Sequence, residues 1–132
     1  MTKHRLLVVD DEPKFGKFVS RVASALEFEV EVTSCGKDFM EAVPRFQPDV
    51  IVLDIVMPNV DGIELMQWLA TQGTKARIII TSGFNPQYAH MAQILGTNSG
   101  IPSVTILPKP VALADLQRAL MDGQEPPMLV GS

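Results

Sequence analysis

Three carboxylates, a hydroxyl and an ammonium stand where the short apolar runs of this sequence end. Asp10 and Asp11 follow Leu6-Leu7-Val8-Val9, and Asp54 follows Val50-Ile51-Val52-Leu53. Thr81 follows Ile78-Ile79-Ile80, and Lys109 comes just after Val104-Thr105-Ile106-Leu107. Singly, each has a bland account. Acids favour helix N-termini through capping and the macrodipole, Asp and Thr often close a strand in a turn, and a lone Lys is usually solvated. Glu12 keeps that account. Gathered in one pocket, the three aspartates repel: at ~5 Å and an effective dielectric of ~20, each like-charged pair costs about 3 kcal/mol. A hard divalent cation offsets that cost, and carboxylates with waters and a phosphate oxygen are the ligand set of Mg²⁺, with Mn²⁺ as a substitute. An ionised carboxylate is also a nucleophile for phosphorus, and phosphoryl transfer asks for positioning and neutralisation above all. Asp54 then receives the phosphoryl group. Asp11 and Asp54 hold the metal directly and Asp10 holds it through water. Lys109 neutralises one phosphoryl oxygen, and Thr81 donates a hydrogen bond to another.

Those side chains need a scaffold that brings their strand ends together. Short apolar runs alternate with amphipathic helical stretches five times. The runs before Asp10, Asp54 and Thr81 are continuously apolar, as in strands covered on both faces, and the run before Lys109 is a weaker fifth strand. The second strand, residues 28–32, alternates, with Phe28, Val30 and Val32 on one side and Glu29 and Glu31 on the other, the pattern of a sheet edge. Pro13 suits the first turn of a helix that carries Phe15, Phe18, Val19, Val22 and Leu26 on one face. A second helix runs from about Lys37 towards Phe46 and is disturbed by Pro44. Met57-Pro58-Asn59 reads as a loop, Asp61 or Gly62 opens a third helix, and Gly73 stops it. Asn85-Pro86 starts a fourth helix, with Tyr88, Met91, Ala92 and Leu95 on one side. Residues 96–102 read as a connection. Leu113, Leu116 and Leu120 mark a fifth helix, capped by Gly123.

Five βα units imply an α/β fold: a doubly wound five-stranded parallel sheet of order 2-1-3-4-5, flavodoxin-like, with helices on both faces. Ligands of such sheets bind beyond the carboxyl ends of the strands, where the strand order reverses. The first and third strands meet at that point, and Asp10, Asp11 and Asp54 end them. Residues 1–122 form the domain, and residues 123–132, with Pro126-Pro127, are a tail or the start of a linker.

Bulk properties narrow the partners. The chain has 132 residues, 46% hydrophobic and 20% charged, enough apolar material for one self-sufficient core. A net charge of −4 argues against a nucleic-acid surface. Cys35 is the only cysteine, so no internal disulfide forms and a reducing cytoplasm is expected. No apolar run approaches the ~20 residues of a membrane span, and the N-terminus does not read as a signal peptide. Neither His4 nor His90 lies at a metal-ligand spacing with the other or with Cys35.

Taken together, the motifs Val8-Val9-Asp10-Asp11-Glu12-Pro13, Asp54-Ile55-Val56-Met57-Pro58 with Asp61-Gly62, Thr81-Ser82-Gly83 and Lys109-Pro110 resemble those of response-regulator receiver domains, over about Lys3 to Leu120. The resemblance implies phosphoryl transfer to Asp54 from a histidine kinase or a histidine phosphotransfer protein, with the backbone carbonyl of Val56 completing the metal site. It implies a signalling phosphoacceptor rather than an enzyme, and a switch passed from Thr81 to a downstream protein or output domain. That switch uses the face of the fourth helix, fifth strand and fifth helix, and a homodimer through the same face is left open. Two features depart from the family pattern. Ile106 stands where receivers usually carry the switch aromatic, and the stretch from Thr81 to Lys109 is longer than in the commonest members. The extra length is assigned to residues 96–103. The positions two beyond Asp54 and two beyond Thr81 govern phosphoryl lifetime in the family. Val56 and Gly83 fill them here, and neither orients a water, so self-dephosphorylation is expected to be slow.

Three other readings are weighed. A degenerate receiver acting as a phosphorylation-independent interaction module would lack the acceptor, the acidic pair or the lysine, and none is missing. A flavin carrier of the same fold would need a hydroxyl- and amide-rich phosphate loop where this chain has three acids. A phosphatase of the haloacid dehalogenase class would carry an aspartate at position 56, which is Val56.

Overall fold

The computed structural model describes residues 4–57, 60–83 and 86–122. Five parallel strands form one sheet: β1 (Arg5–Val9), β2 (Glu29–Thr33), β3 (Val50–Asp54), β4 (Arg77–Ser82) and β5 (Val104–Pro108). Their order is 2-1-3-4-5. Between and after them run α1 (Pro13–Ala25), α2 (Gly36–Phe46), α3 (Gly62–Thr71), α4 (Pro86–Asn98) and α5 (Leu113–Met121). The strand order reverses between β1 and β3, which pair in parallel from Leu6 with Val50 to Val9 with Leu53.

The unbroken apolar runs of the central strands serve two layers at once. Leu7, Val9, Ile51, Leu53, Ile78 and Ile80 pack towards α2, α3 and α4. Leu6, Val8, Val50, Val52 and Ile79 pack towards α1 and α5. Each such side chain, fully buried, contributes about 1.5–3 kcal/mol of transfer free energy, so both faces bind their helices firmly and the strand ends are held in fixed register. Among the described residues no helix is long and apolar enough to cross a membrane.

Several local expectations need correction. Val32 was expected on the covered side of β2 but is 44% exposed, because β2 is an edge strand and Val32 lies over Gly16 of α1, which has no side chain to cover it. Pro44 does not break α2. It sits in the last turn, and the helix runs on to Phe46, with Gln47 in the left-handed region at φ 52. Met57, expected in a loop, is buried in a short antiparallel ribbon in which Val56 pairs with Asp61 and Met57 with Val60. Pro58 and Asn59 lie outside the described residues, as do Asn85, Gly123 and the tail.

The largest correction concerns α4. Its buried face is Ala89, Ala92 and Gly96, while Met91, expected beside Ala92, is 54% exposed. The helix also continues through Gly96 to Asn98, so the extra length before β5 is partly helix rather than loop. Gly96 permits this: a Cβ there would lie 2.4 Å from Met66 Cε and 3.2 Å from Val104 Cγ2. The Thr97 hydroxyl donates back to the carbonyls of Gln93 and Ile94, and the chain leaves the helix at Gly100, φ +96.

Candidate functional site

Asp10, Asp54, Thr81 and Lys109 converge because the sheet stacks their strand ends side by side. Asp54 closes β3, and Thr81 is its register partner on β4. Asp10 follows β1 directly, and its N–H donates to the Thr33 carbonyl at 3.1 Å. Lys109 follows β5 and is anchored by its N–H donating to the Ser82 carbonyl at 2.8 Å. The Lys109-Pro110 peptide is cis.

Asp10, Asp11 and Asp54 each offer a carboxylate oxygen within 4.8 Å of the others. Asp10 and Asp54 are buried, whereas Asp11 is exposed at the mouth. The Lys109 ammonium donates to Asp10 Oδ2 at 2.9 Å and stands 3.5 Å from Asp54 Oδ2. Asp10 Oδ1 accepts from the Glu12 N–H at 2.8 Å, so both its oxygens are engaged. Asp54 Oδ1 accepts from the Val56 N–H at 3.1 Å, and its Oδ2 faces Lys109. Thr81 Oγ1 is fully buried with no hydrogen-bond partner among the described residues. A buried hydroxyl without a partner costs about 1–3 kcal/mol, and here it belongs to the register partner of Asp54.

The electrostatics follow from this arrangement. Burial, reinforced by the Asp10 charge, raises the Asp54 pKa to about 6 against the opposing pull of the Val56 N–H and Lys109. Burial alone would lower the Lys109 pKa, but its hydrogen bond to Asp10 and the charges of Asp54 and Asp10 outweigh it, and the pKa rises. The ammonium therefore stays charged inside an acidic well. Hard oxygen donors at this spacing suit a divalent cation, which would also relieve the repulsion that raises the Asp54 pKa.

The remaining expected residues fall around this centre. Val56 is one residue into the ribbon, its side chain 47% exposed at the mouth, and Gly83 stands opposite with open space where a Cβ would go. Ile106 pairs with Ile80 and is half-buried against the layer that holds α4. Sequence reasoning missed two contacts. The Phe15 ring, expected only in the α1 packing face, has its centroid 4.6 Å from the Lys109 ammonium. The Tyr88 hydroxyl of α4 donates to Asp61, the N-cap of α3, whose carboxylate also accepts from the Ile63 N–H. An aromatic soon after an acidic pair was the visible sign of the first. Nothing local announced the second.

Comparison with known proteins agrees with this geometry. The family model described as "Response regulator receiver domain" matches residues 6–121. The response regulator MprA of Mycobacterium leprae is 32% identical over 125 residues, covering 92% of this chain and 53% of that protein. MprA of Mycolicibacterium vanbaalenii is 31% identical over 120 residues, covering 89% of this chain and 50% of its own. The chain thus spans about half the length of the curated relatives it matches. Among solved structures, the Francisella response regulator 1452 receiver domain superposes with a TM-score of 0.73 at 28% identity, covering 89% of this chain and 93% of that one. A response regulator receiver from Bermanella marisrubri gives 0.78 at 24% identity, covering 92% and 98%, a likeness of fold.

Proposed function

Because this chain belongs to the response regulator receiver domain family, we propose that it takes a phosphoryl group onto Asp54 from a histidine kinase or a histidine phosphotransfer protein. The observation that carries this reading is the Asp54 carboxylate itself: buried, faced by Lys109, and paired in register with a Thr81 hydroxyl that has no hydrogen-bond partner among the described residues. In the transfer, an Asp54 oxygen forms a bond to phosphorus while the phosphorus–nitrogen bond of the donor breaks. The electron pair leaves on the imidazole, which takes up a proton. Lys109 meets one phosphoryl oxygen and exchanges part of its contact with Asp54 for it. Thr81 donates its hydroxyl to another oxygen, and that bond satisfies the buried group.

Mg²⁺, with Mn²⁺ as a substitute, fits the donor set; Asp11, Asp54 and the Val56 carbonyl would hold it and Asp10 would act through water, and it would supply the charge neutralisation that phosphoryl oxygens need beside three carboxylates. The engagement of both Asp10 oxygens by Lys109 and Glu12 supports the indirect role of Asp10. Thr81 is the start of the switch, passed by repacking through Ile106 to the face of α4, β5 and α5, where a downstream protein or output domain reads it. Residues 1–122 are the receiver unit and residues 123–132 a tail or linker. The domain acts in the cytoplasm as a signalling phosphoacceptor with no nucleic-acid or membrane surface of its own. The reading as a degenerate interaction module gains no support, since acceptor, acidic pair and lysine are present and adjacent.

Intact mass after incubation with a small phosphodonor tests the reading. One added phosphoryl group is expected in the presence of Mg²⁺, with none on chelation and none in Asp54→Asn. A folded wild-type chain that gains no adduct would overturn it.

A further inference from the structure

Lysine presents three N–H donors on a flexible four-carbon stem, and its ammonium is strongly hydrated. Left to itself, such a group at the rim of a pocket swings into water. Lys109 does not: its side chain is only 22% exposed, with Asp10 Oδ2 at 2.9 Å and Asp54 Oδ2 at 3.5 Å. A further side of the ammonium meets the ring of Phe15, centroid at 4.6 Å. We propose that Phe15 is a positioning residue for phosphoryl transfer, its ring holding the Lys109 ammonium over the Asp10–Asp54 pair. The proposal rests on the reading of Asp54 as phosphoacceptor.

The chemistry favours an aromatic here over any charged partner. A ring face attracts a cation through its quadrupole and carries no net charge. A third carboxylate would hold the ammonium more tightly but would repel an incoming phosphoryl group. The ring also shields that side of the ammonium from water, so the contacts to the carboxylates stay strong until a phosphoryl oxygen replaces one of them. The ring is fixed by helix rather than loop. Phe15 lies in the first turn of α1, its N–H donating to the Glu12 carbonyl at 3.1 Å, and the Phe18 ring braces it at 6.0 Å between centroids. Gly16 lets that turn lie close to β2, since a Cβ there would be 2.9 Å from Val32 Cγ1.

Phe15 also packs against the α1–α5 core layer, so the test must separate the two roles. Wild type, Phe15→Leu and Phe15→Trp are compared as full chains: leucine keeps the apolar bulk without the quadrupole, and tryptophan keeps both. The first readout is the NMR shift of the Lys109 ε-methylene protons without phosphodonor, which a ring beneath the ammonium moves upfield. That displacement is expected in wild type and Phe15→Trp and absent in Phe15→Leu. The second is the rate of Asp54 phosphorylation by acetyl phosphate with Mg²⁺. Phe15→Leu is expected to be slower by about three- to ten-fold, and Phe15→Trp to stay within a factor of about two of wild type. A Phe15→Leu rate equal to wild type overturns the proposal alone, as does a Phe15→Trp chain as slow as Phe15→Leu, which would assign the effect to packing. A wild-type chain that takes no phosphoryl group overturns the reading of Asp54, and the proposal with it.

Discussion

Asp54 is held in a form that the fold disfavours. The residue is 4% exposed, and burial with the neighbouring Asp10 charge raises its pKa from 3.8 to about 6. An acid whose pKa is higher folded than unfolded binds its proton more tightly in the native state. Stability from this group is therefore greatest below the unfolded pKa, falls as pH rises from about 4 to about 6, and is level above that. A shift of about two units corresponds to about 3 kcal/mol at neutral pH, the net of burial and the Asp10 charge over the opposing pull of the Val56 N–H and Lys109. In chelator, Asp54→Asn is accordingly expected to unfold at higher urea at pH 7.5, by about 1–3 kcal/mol, and to match wild type at pH 4. Urea titrations at the two pH values measure this. A loss of stability at pH 7.5 would mean that the Lys109 contact outweighs the burial cost. The same strain bears on function, because a divalent cation at Asp54 would relieve the charge imbalance and so draw free energy from the folded state itself.

Among the elements, the close approach of α3 to the end of β3 matters most to the site. A Cβ on Gly62 would lie 2.6 Å from the Ile55 carbonyl oxygen, 2.9 Å from Ile55 Cα and 2.5 Å from Ile55 Cδ1. Two of those atoms are backbone and do not yield, so Gly62→Ala is expected to cost about 1–3 kcal/mol, in urea unfolding, by overpacking. It should also displace the Ile55–Val56 backbone and weaken Mg²⁺ binding in titration calorimetry. A variant as stable as wild type would show that the ribbon shifts freely. This contact also explains what was legible in the sequence. Asp61-Gly62 could be read because a cap followed by a glycine is a local device, and the chemistry at the strand ends could be read because each residue closes an apolar run. Gly96 was misread as a loop residue because its role is to admit Met66, a contact between α3 and α4 that no local pattern carries. Met91 was misplaced for a related reason: α4 has apolar residues on several sides, so periodicity did not single out the buried face of Ala89, Ala92 and Gly96. Phe15 was counted as core because its spacing fits the α1 face, and the ammonium above it comes from the far end of the chain.

For the whole molecule, the proposed function makes the working quantity the time a phosphoryl group would stay on Asp54, since that would set how long a switched state persists. Water would reach an acyl phosphate at Asp54 through the mouth formed by the start of α1, the Val56 ribbon, Gly83 after β4 and the turn after β5. Hydrolysis needs a water held in line with the phosphorus–oxygen bond, and a polar side chain at the mouth is the usual means of holding one. Val56 is 47% exposed there but apolar, and Gly83 has no side chain, so neither can orient that water. The mouth is open to solvent, and neither of these two positions offers a guide. The isolated chain is therefore expected to keep its phosphoryl group for many minutes, read by intact mass after the phosphodonor is removed, and a half-life of seconds would contradict this. Placing an amide at either position separates guidance from access. Gly83 has nothing within 4 Å of a Cβ and Val56 already projects outward, so Val56→Asn and Gly83→Asn should fold as wild type. Each is expected to shorten the half-life by about three- to ten-fold, an effect of roughly 0.7–1.4 kcal/mol on the barrier. If both leave the lifetime unchanged, slow hydrolysis comes from the well around Asp54 and Lys109, and the long-lived signal is a property of the buried site rather than of its rim.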